Sequence, residues 1–535
     1  MEQDFFEFIN SFENKVVNLS KELSLSNFNA TISGKPEDYN KTAELELELK
    51  RIFSNKEDFE KIKMFKNSIH NFNSVNKREI EILYNTYASY QIDEELLKKT
   101  ISLSSKIEKT FATYRAEVNE KKLTDNEIDK ILEKSIDSNE LENTWKASKQ
   151  IGKIVSEDVI ELVKLRNEAA HNLGYKNYHE MSLKLSELEP EFLDNLFNKL
   201  DEKTQPKFLE IKNEMDKYLS EHLKIEKENL MPWHYQDKFF QQGTSIYNLD
   251  YDKYFENKNI EKLTEEYYSG IGLDIKDMLA QSDLYEKEGK YQHAYCTQID
   301  KEGDVRVLCN IKPNYKWMST MLHEFGHAVY DKYVSPKLPW TLREHAHIFT
   351  TEAIAMLFGR FASNPNWLKE MIGISEEEKS EISEKSYKTL QMEQIIFSRW
   401  VKVIYRFEKA LFENPDRDLN SLWWELVEKY QGLKKPENRN EPDWASKIHI
   451  ALYPVYYHNY MLGELLASQL YFYIKEKVIK NSSSEMVSFI GNKNVGEYLV
   501  NLFFSYGALF KWDKLIETST SEELNPEYWI KQFTK

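Results

Sequence analysis

The residues of this chain best suited to chemistry lie in one short run, His323-Glu324-Phe325-Gly326-His327. On a helix, side chains four apart share a face, so the two imidazoles can converge on one metal ion. Glu324 projects about 100° around the helix from His323, beside such an ion rather than onto it. There it can take a proton from an attacking water and later pass it to a leaving amine. Three protein ligands and one open position form the catalytic zinc pattern, whereas structural zinc is closed by four ligands. The run therefore predicts one Zn2+ per chain and a hydrolytic reaction. An ordinary amphipathic helix with two hydrogen-bonded histidines would give the same five letters.

Glu352 supplies the third ligand in this reading. It follows His327 by 25 residues in a second helical run, 350–363, among Ile354, Ala355 and Leu357. A buried carboxylate without a partner is costly, and metal ligation would resolve the cost. A salt bridge to Arg343 or Arg360 would resolve it too. His345 and His347 are formal alternatives, but their i, i+2 spacing does not converge on a helix, so they are expected to be supporting or solvent-facing residues.

Helices must carry these groups. Residues 2–23, 77–121, 151–173 and 189–223 place apolar side chains three and four apart, with Glu and Lys between them. With 16 Gly and 13 Pro in 535 residues, few hairpins are expected and the fold class is mostly α. One segment differs. Residues 292–299 and 304–310 are rich in β-branched and aromatic types around Asp300-Lys301-Glu302-Gly303, which predicts a β-hairpin just upstream of the His323 helix.

Composition excludes several functions. A net charge of −17 argues against a nucleic-acid partner, which needs a cationic face. Two cysteines, Cys296 and Cys309, cannot make a disulfide scaffold; a pair across the hairpin is the alternative to the expected buried free thiols of a reducing compartment. The first residues, MEQDFFEFINSFENKVVNL, carry acids where a signal peptide carries Lys or Arg. No stretch approaches the roughly 20 apolar residues of a membrane span. A cytoplasmic protein without membrane or nucleic-acid partners is expected.

At this point the residues resemble a known family. HEFGHAVYDKY from His323 and LREHAHIFTTEA from Leu342 are similar to the active-site region of the angiotensin-converting enzyme family and its bacterial relatives. They are close also to the thimet oligopeptidase and oligoendopeptidase F group. His293-Ala294, 30 residues before His323, resembles that family's substrate-gripping His-Ala, and Lys447-Ile448-His449 with Tyr457-His458-Asn459-Tyr460 resembles its Lys-x-His and Tyr-x-x-Tyr elements. The spacing between these last two is one residue longer here. The matches span about 230–470, with only general helical similarity in the N-terminal third.

The resemblance implies a two-lobed helical ellipsoid with a deep central channel. It implies a single peptidase unit over 1–535, built of two interleaved lobes with a catalytic core near 230–470. His449 and Tyr460 would donate to the oxyanion of the tetrahedral intermediate, or else be a buried histidine and part of an aromatic core. Lys447, Tyr457 and Gln236 would grip a substrate's C-terminal carboxylate, and the hairpin at His293 would offer a strand edge to an extended peptide. Three positions depart from the family. Met356 stands where converting enzyme has an acid, so the hydrogen bond that orients a ligating histidine must come from elsewhere. Asn459 replaces an arginine tied to chloride activation, and Gln236 matches only loosely. The expected function is a zinc peptidase releasing C-terminal dipeptides from short peptides. An oligoendopeptidase is the alternative, and a non-catalytic peptide-binding protein the rival class.

Overall fold

The computed structural model describes residues 1–483 and 486–535. The fold is mostly α: helices carry most of the described residues, with only two small antiparallel hairpins among them. The chain forms two compact units, each assembled from three separate segments. Unit 1 is residues 1–91, 249–386 and 462–529; unit 2 is residues 92–248, 387–461 and 530–535.

Local chemistry sets the helix ends. The pattern over 77–121 reads as one helical stretch, yet it is broken into Ser74–Ser89 and Glu94–Thr113. Asp93 explains the restart after the break, because its side chain accepts the Glu95 and Leu96 N–H bonds of the second helix, as Asn73 does for the Val75 and Asn76 N–H bonds of the first. The division between the units falls in that interruption, after Gln91. Past Thr113 the expected helix gives way to a hairpin, Ala116–Val118 with Lys121–Leu123. Asn119 and Glu120 turn it with positive φ of 51° and 66°, the backbone of a tight two-residue turn. The other three helical patterns fall on Glu2–Ser33, Ser138–Asn172 and Pro190–Leu223, with Leu173 and Glu189 as capping residues just outside the last two helices.

In unit 1 the expected upstream hairpin is present. Tyr295–Gln298 pairs antiparallel with Val305–Leu308, Tyr295 opposite Leu308 and Gln298 opposite Val305. Its turn is tied down by charge: Lys21 meets Asp300 at 3.3 Å, Lys301 meets Glu344 at 2.6 Å, and Arg343 meets Glu302 at 3.0 Å. Cys296 and Cys309 are both free. Among the described residues no helix is long and apolar enough to cross a membrane.

Candidate active site

Two helices of unit 1 carry the metal-binding candidates. Tyr315–Tyr333 starts at Asn314, whose side chain accepts the Trp317 N–H at 2.9 Å. Ile348–Gly359 starts at His347, whose Nδ1 accepts the Phe349 N–H at 3.2 Å. Gly326 lets the two helices touch, because a Cβ there would lie 2.7 Å from the Ala355 Cα. Across the contact, Ser319 donates to the Gly359 carbonyl at 3.1 Å. Tyr268 donates to the Leu322 carbonyl at 2.5 Å, fixing the turn just before His323.

This packing brings His323, His327 and Glu352 together, with one donor atom of each lying within 4.8 Å of the others. The Glu352 Oε2 is 3.8 Å from His323 Nε2 and 3.9 Å from His327 Nε2. Two donors each about 2.1 Å from an ion can stand no more than about 4.2 Å apart, so both separations suit one shared ion. Burial holds the imidazoles neutral, with lone pairs free for a cation: His323 is depressed to about 4, and His327 falls well below its usual value, helped by the neighbouring histidines. The alternative partners of Glu352 are engaged elsewhere in unit 1: Arg360 pairs with Glu464 and Arg343 with Glu302.

Glu324 is 8% exposed. Burial pushes its carboxyl up to about 8, and the Glu352 carboxylate adds to the rise. A cation between the ligands would oppose both effects and favour the ionised form. The other two histidines of the region are not solvent-facing. His347 is buried and caps the helix of Glu352. His345 Nδ1 lies 3.8 Å from Asp331; burial would lower its pKa, but the carboxylates of Asp331 and Glu344 outweigh that and raise it.

The position of Met356 left one histidine partner to be found. His327 finds it in Thr351, with Nδ1 and Oγ1 2.7 Å apart. With Nε2 on a metal, Nδ1 carries the proton and donates to the threonine. Thr351 directly precedes Glu352, so one helix turn supplies both a ligand and a ligand's support. Adjacency to the ligand was the available signal. Met356 instead packs near Gly463, where a Cβ would lie 3.1 Å from its Sδ and from the Glu352 Cβ.

His293 is exposed and Ala294 half-buried, immediately before the strand Tyr295–Gln298 of unit 1. The remaining candidates belong to unit 2. Lys447 is buried, yet among the described residues no carboxylate lies within ion-pair distance of it. Its Nζ donates to the Gln241 Oε1 at 2.9 Å and lies 5.4 Å from the rings of Phe239 and Trp400 and 5.5 Å from that of Tyr457. Burial depresses it to about 8. Tyr457 OH reaches the same Gln241 oxygen at 3.5 Å. Gln236 does not join them: it has a positive φ of 61° and donates to the Glu133 carbonyl at 3.1 Å. The glutamine that meets Lys447 and Tyr457 is Gln241. It lies in the aperiodic stretch after the Pro232–His234 turn, where sequence pattern sets no register.

The His449 ring meets Tyr457 edge-on with centroids 5.1 Å apart, and burial lowers its pKa to about 4, with Lys447 adding to the effect. Tyr460 is half-buried, 5.3 Å from Tyr457 ring to ring, so it is not sealed in a core. Asn459 is buried.

Two half-buried histidines and a buried carboxylate around one point, with Glu324 beside the histidines on their helix, form a candidate metallopeptidase site. The model of peptidase family M3 matches residues 133–535, and that of angiotensin-converting enzyme matches residues 1–237. The chain belongs to peptidase family M3. The N-terminal third, which motifs left with only general helical similarity, is thus the part that the converting-enzyme model matches. Angiotensin-converting enzyme of Theromyzon tessulatum is 21% identical over 428 residues, 75% of this chain and 69% of that protein. The enzyme of the same name from Haematobia irritans exigua is 23% identical over 300 residues, 53% and 45% of the two chains. Oligoendopeptidase F, chromosomal, of Lactococcus lactis subsp. cremoris is 24% identical over 272 residues, 48% and 43%. The match thus spans less than half the length of the last two relatives.

Proposed function

We propose that this protein is a zinc-dependent peptidase that releases dipeptides from the C-terminus of short peptides. His323, His327 and Glu352 would hold the metal. When bound, the metal supplies a Lewis acid that polarises the scissile carbonyl and acidifies water. Glu324 takes the proton of the attacking water and gives it to the leaving amine. Thr351 holds His327 in the tautomer that presents Nε2. Following the family resemblance, His449 and Tyr460 donate to the oxyanion, an interaction often worth about 3–4 kcal/mol per donor. The backbone around His293 and Ala294 receives the peptide as an added strand. The two units work as one peptidase, and the free thiols suit a cytoplasmic setting.

The observation that supports the carboxydipeptidase mode is Lys447. A buried cation beside three aromatic rings and an amide oxygen, with no carboxylate at ion-pair distance among the described residues, suits an anionic guest. A substrate's C-terminal carboxylate is such a guest, with Gln241 and Tyr457 beside it. The family M3 match over residues 133–535 favours a second reading, an oligoendopeptidase indifferent to chain ends. Zinc content, together with mass-spectrometric mapping of cuts in a peptide library, tests both. Dipeptide products from the C-terminus support the first, internal cuts alone support the second, and metal without hydrolysis would leave a binding protein.

A further inference from the structure

Glu408 is a buried acid that no step above uses. It lies in unit 2 on the helix Glu376–Glu413, only 3% exposed. Burial pushes its carboxyl up to about 8, although the Val455 N–H and the Arg166 charge both pull it down. Its Oε1 accepts the backbone N–H of Val455 at 3.1 Å.

Val455 sits in the turn between the helices Ile448–Leu452 and His458–Tyr473, with a φ of 57°. In an L-residue this backbone brings Cβ against the carbonyl, and branching at Cβ makes it worse. Such a conformation persists only where the surroundings impose it, and it gathers at functional sites. Here the turn is held from two sides. Glu408 takes the Val455 N–H, and the Arg166 Nη1 donates to the Ala451 carbonyl at 2.7 Å. His449 lies two residues before Ala451; Tyr457 lies two after Val455, and Tyr460 opens the next helix. The turn therefore sets the relation of His449 to the tyrosines.

We propose that Glu408 is a positioning residue for peptide hydrolysis, which by capturing the Val455 N–H fixes the turn that presents His449 and Tyr460 together. This rests on the reading of those two side chains as oxyanion donors. The neutral acid is sufficient for the task, since what the turn needs is an acceptor oxygen at the Val455 N–H.

The test is steady-state hydrolysis of a quenched free-acid peptide, with zinc content and circular dichroism measured on each variant. E408L removes the acceptor at similar bulk, and should lower kcat about tenfold or more with KM within about twofold and zinc unchanged. E408Q keeps an acceptor oxygen and should stay within about threefold of the parent. In a Y460F background E408L should cost clearly less than it does in the parent, because one of the two groups the turn presents is already gone. If E408L does not fold, E408D, which withdraws the oxygen by one methylene, takes its place with the same expectation. Parental kcat in folded E408L or E408D, an E408Q as slow as E408L, or effects of E408L and Y460F that simply multiply would each overturn the assignment. H449A and Y460F separate the two levels. If both keep parental kcat, the donor reading fails and takes this inference with it. If they lose kcat while E408L does not, the inference alone fails.

Discussion

The imidazole of His327 is oriented by Thr351, its Nδ1 2.7 Å from the threonine Oγ1. The threonine sits one residue before Glu352 on the opposing helix, so the bond also locks the two ligand-bearing helices in register. T351V removes the acceptor and keeps the shape. Zinc affinity, measured by competition with a chromogenic chelator, should fall about tenfold to a hundredfold. An unchanged affinity would mean that packing alone orients the ring.

The site was legible in the sequence where its parts are local. Histidines four apart on a helix must share a face, and Glu352 stood out as a carboxylate among apolar neighbours. The hairpin over 295–308 was legible because its turn residues are local too. Gln241 was not legible, since it reaches Lys447 across 206 residues from an aperiodic loop. Nor was the break at Tyr90–Asp93, where a capping aspartate overrides a continuing helical pattern. The interleaving of the units depends on contacts between distant segments, which periodicity does not record.

Glu324 should separate metal binding from turnover. E324Q keeps the size and polarity of the side chain but cannot accept the proton. Zinc should be retained at one per chain while kcat falls by about a hundredfold or more. H347A should also keep its zinc, because His347 caps a helix and is not among the three clustered donors. Full activity in zinc-loaded E324Q would sink the assignment of the base, and zinc loss in H347A would place a ligand there.

At Gly326 the two ligand helices pack backbone against backbone. A methyl at this position would lie 2.7 Å from the Ala355 Cα and 3.2 Å from the Ile354 carbonyl, both of them backbone. Backbone cannot step aside as a side-chain tip can. G326A should therefore destabilise the protein by about 1–3 kcal/mol despite the better helix propensity of alanine. It should also spread the ligands and weaken zinc binding. A melting temperature equal to the parent's would show that the helices can separate freely.

The last prediction concerns the end of the substrate. Lys447 is depressed to about 8 by burial, so in the empty enzyme its charge is lost as pH rises through that value. If the charged ammonium binds a substrate carboxylate, KM for free-acid peptides should rise above about pH 8. KM for the matching C-terminal amides should stay flat over the same range, since they present no anion. At neutral pH, amidation should lower kcat/KM by about tenfold to a hundredfold, the weight of one charge-assisted hydrogen bond. K447A should show the same loss on the free acid and then ignore amidation, as a double-mutant cycle requires of two groups in contact. Q241A should share part of that loss, while Q236A should not, because Gln236 is bound to the Glu133 carbonyl instead. Equal kcat/KM for acid and amide in the parent enzyme, with cuts at internal bonds, would reject the carboxydipeptidase mode and leave Lys447 with a purely structural part in its aromatic box.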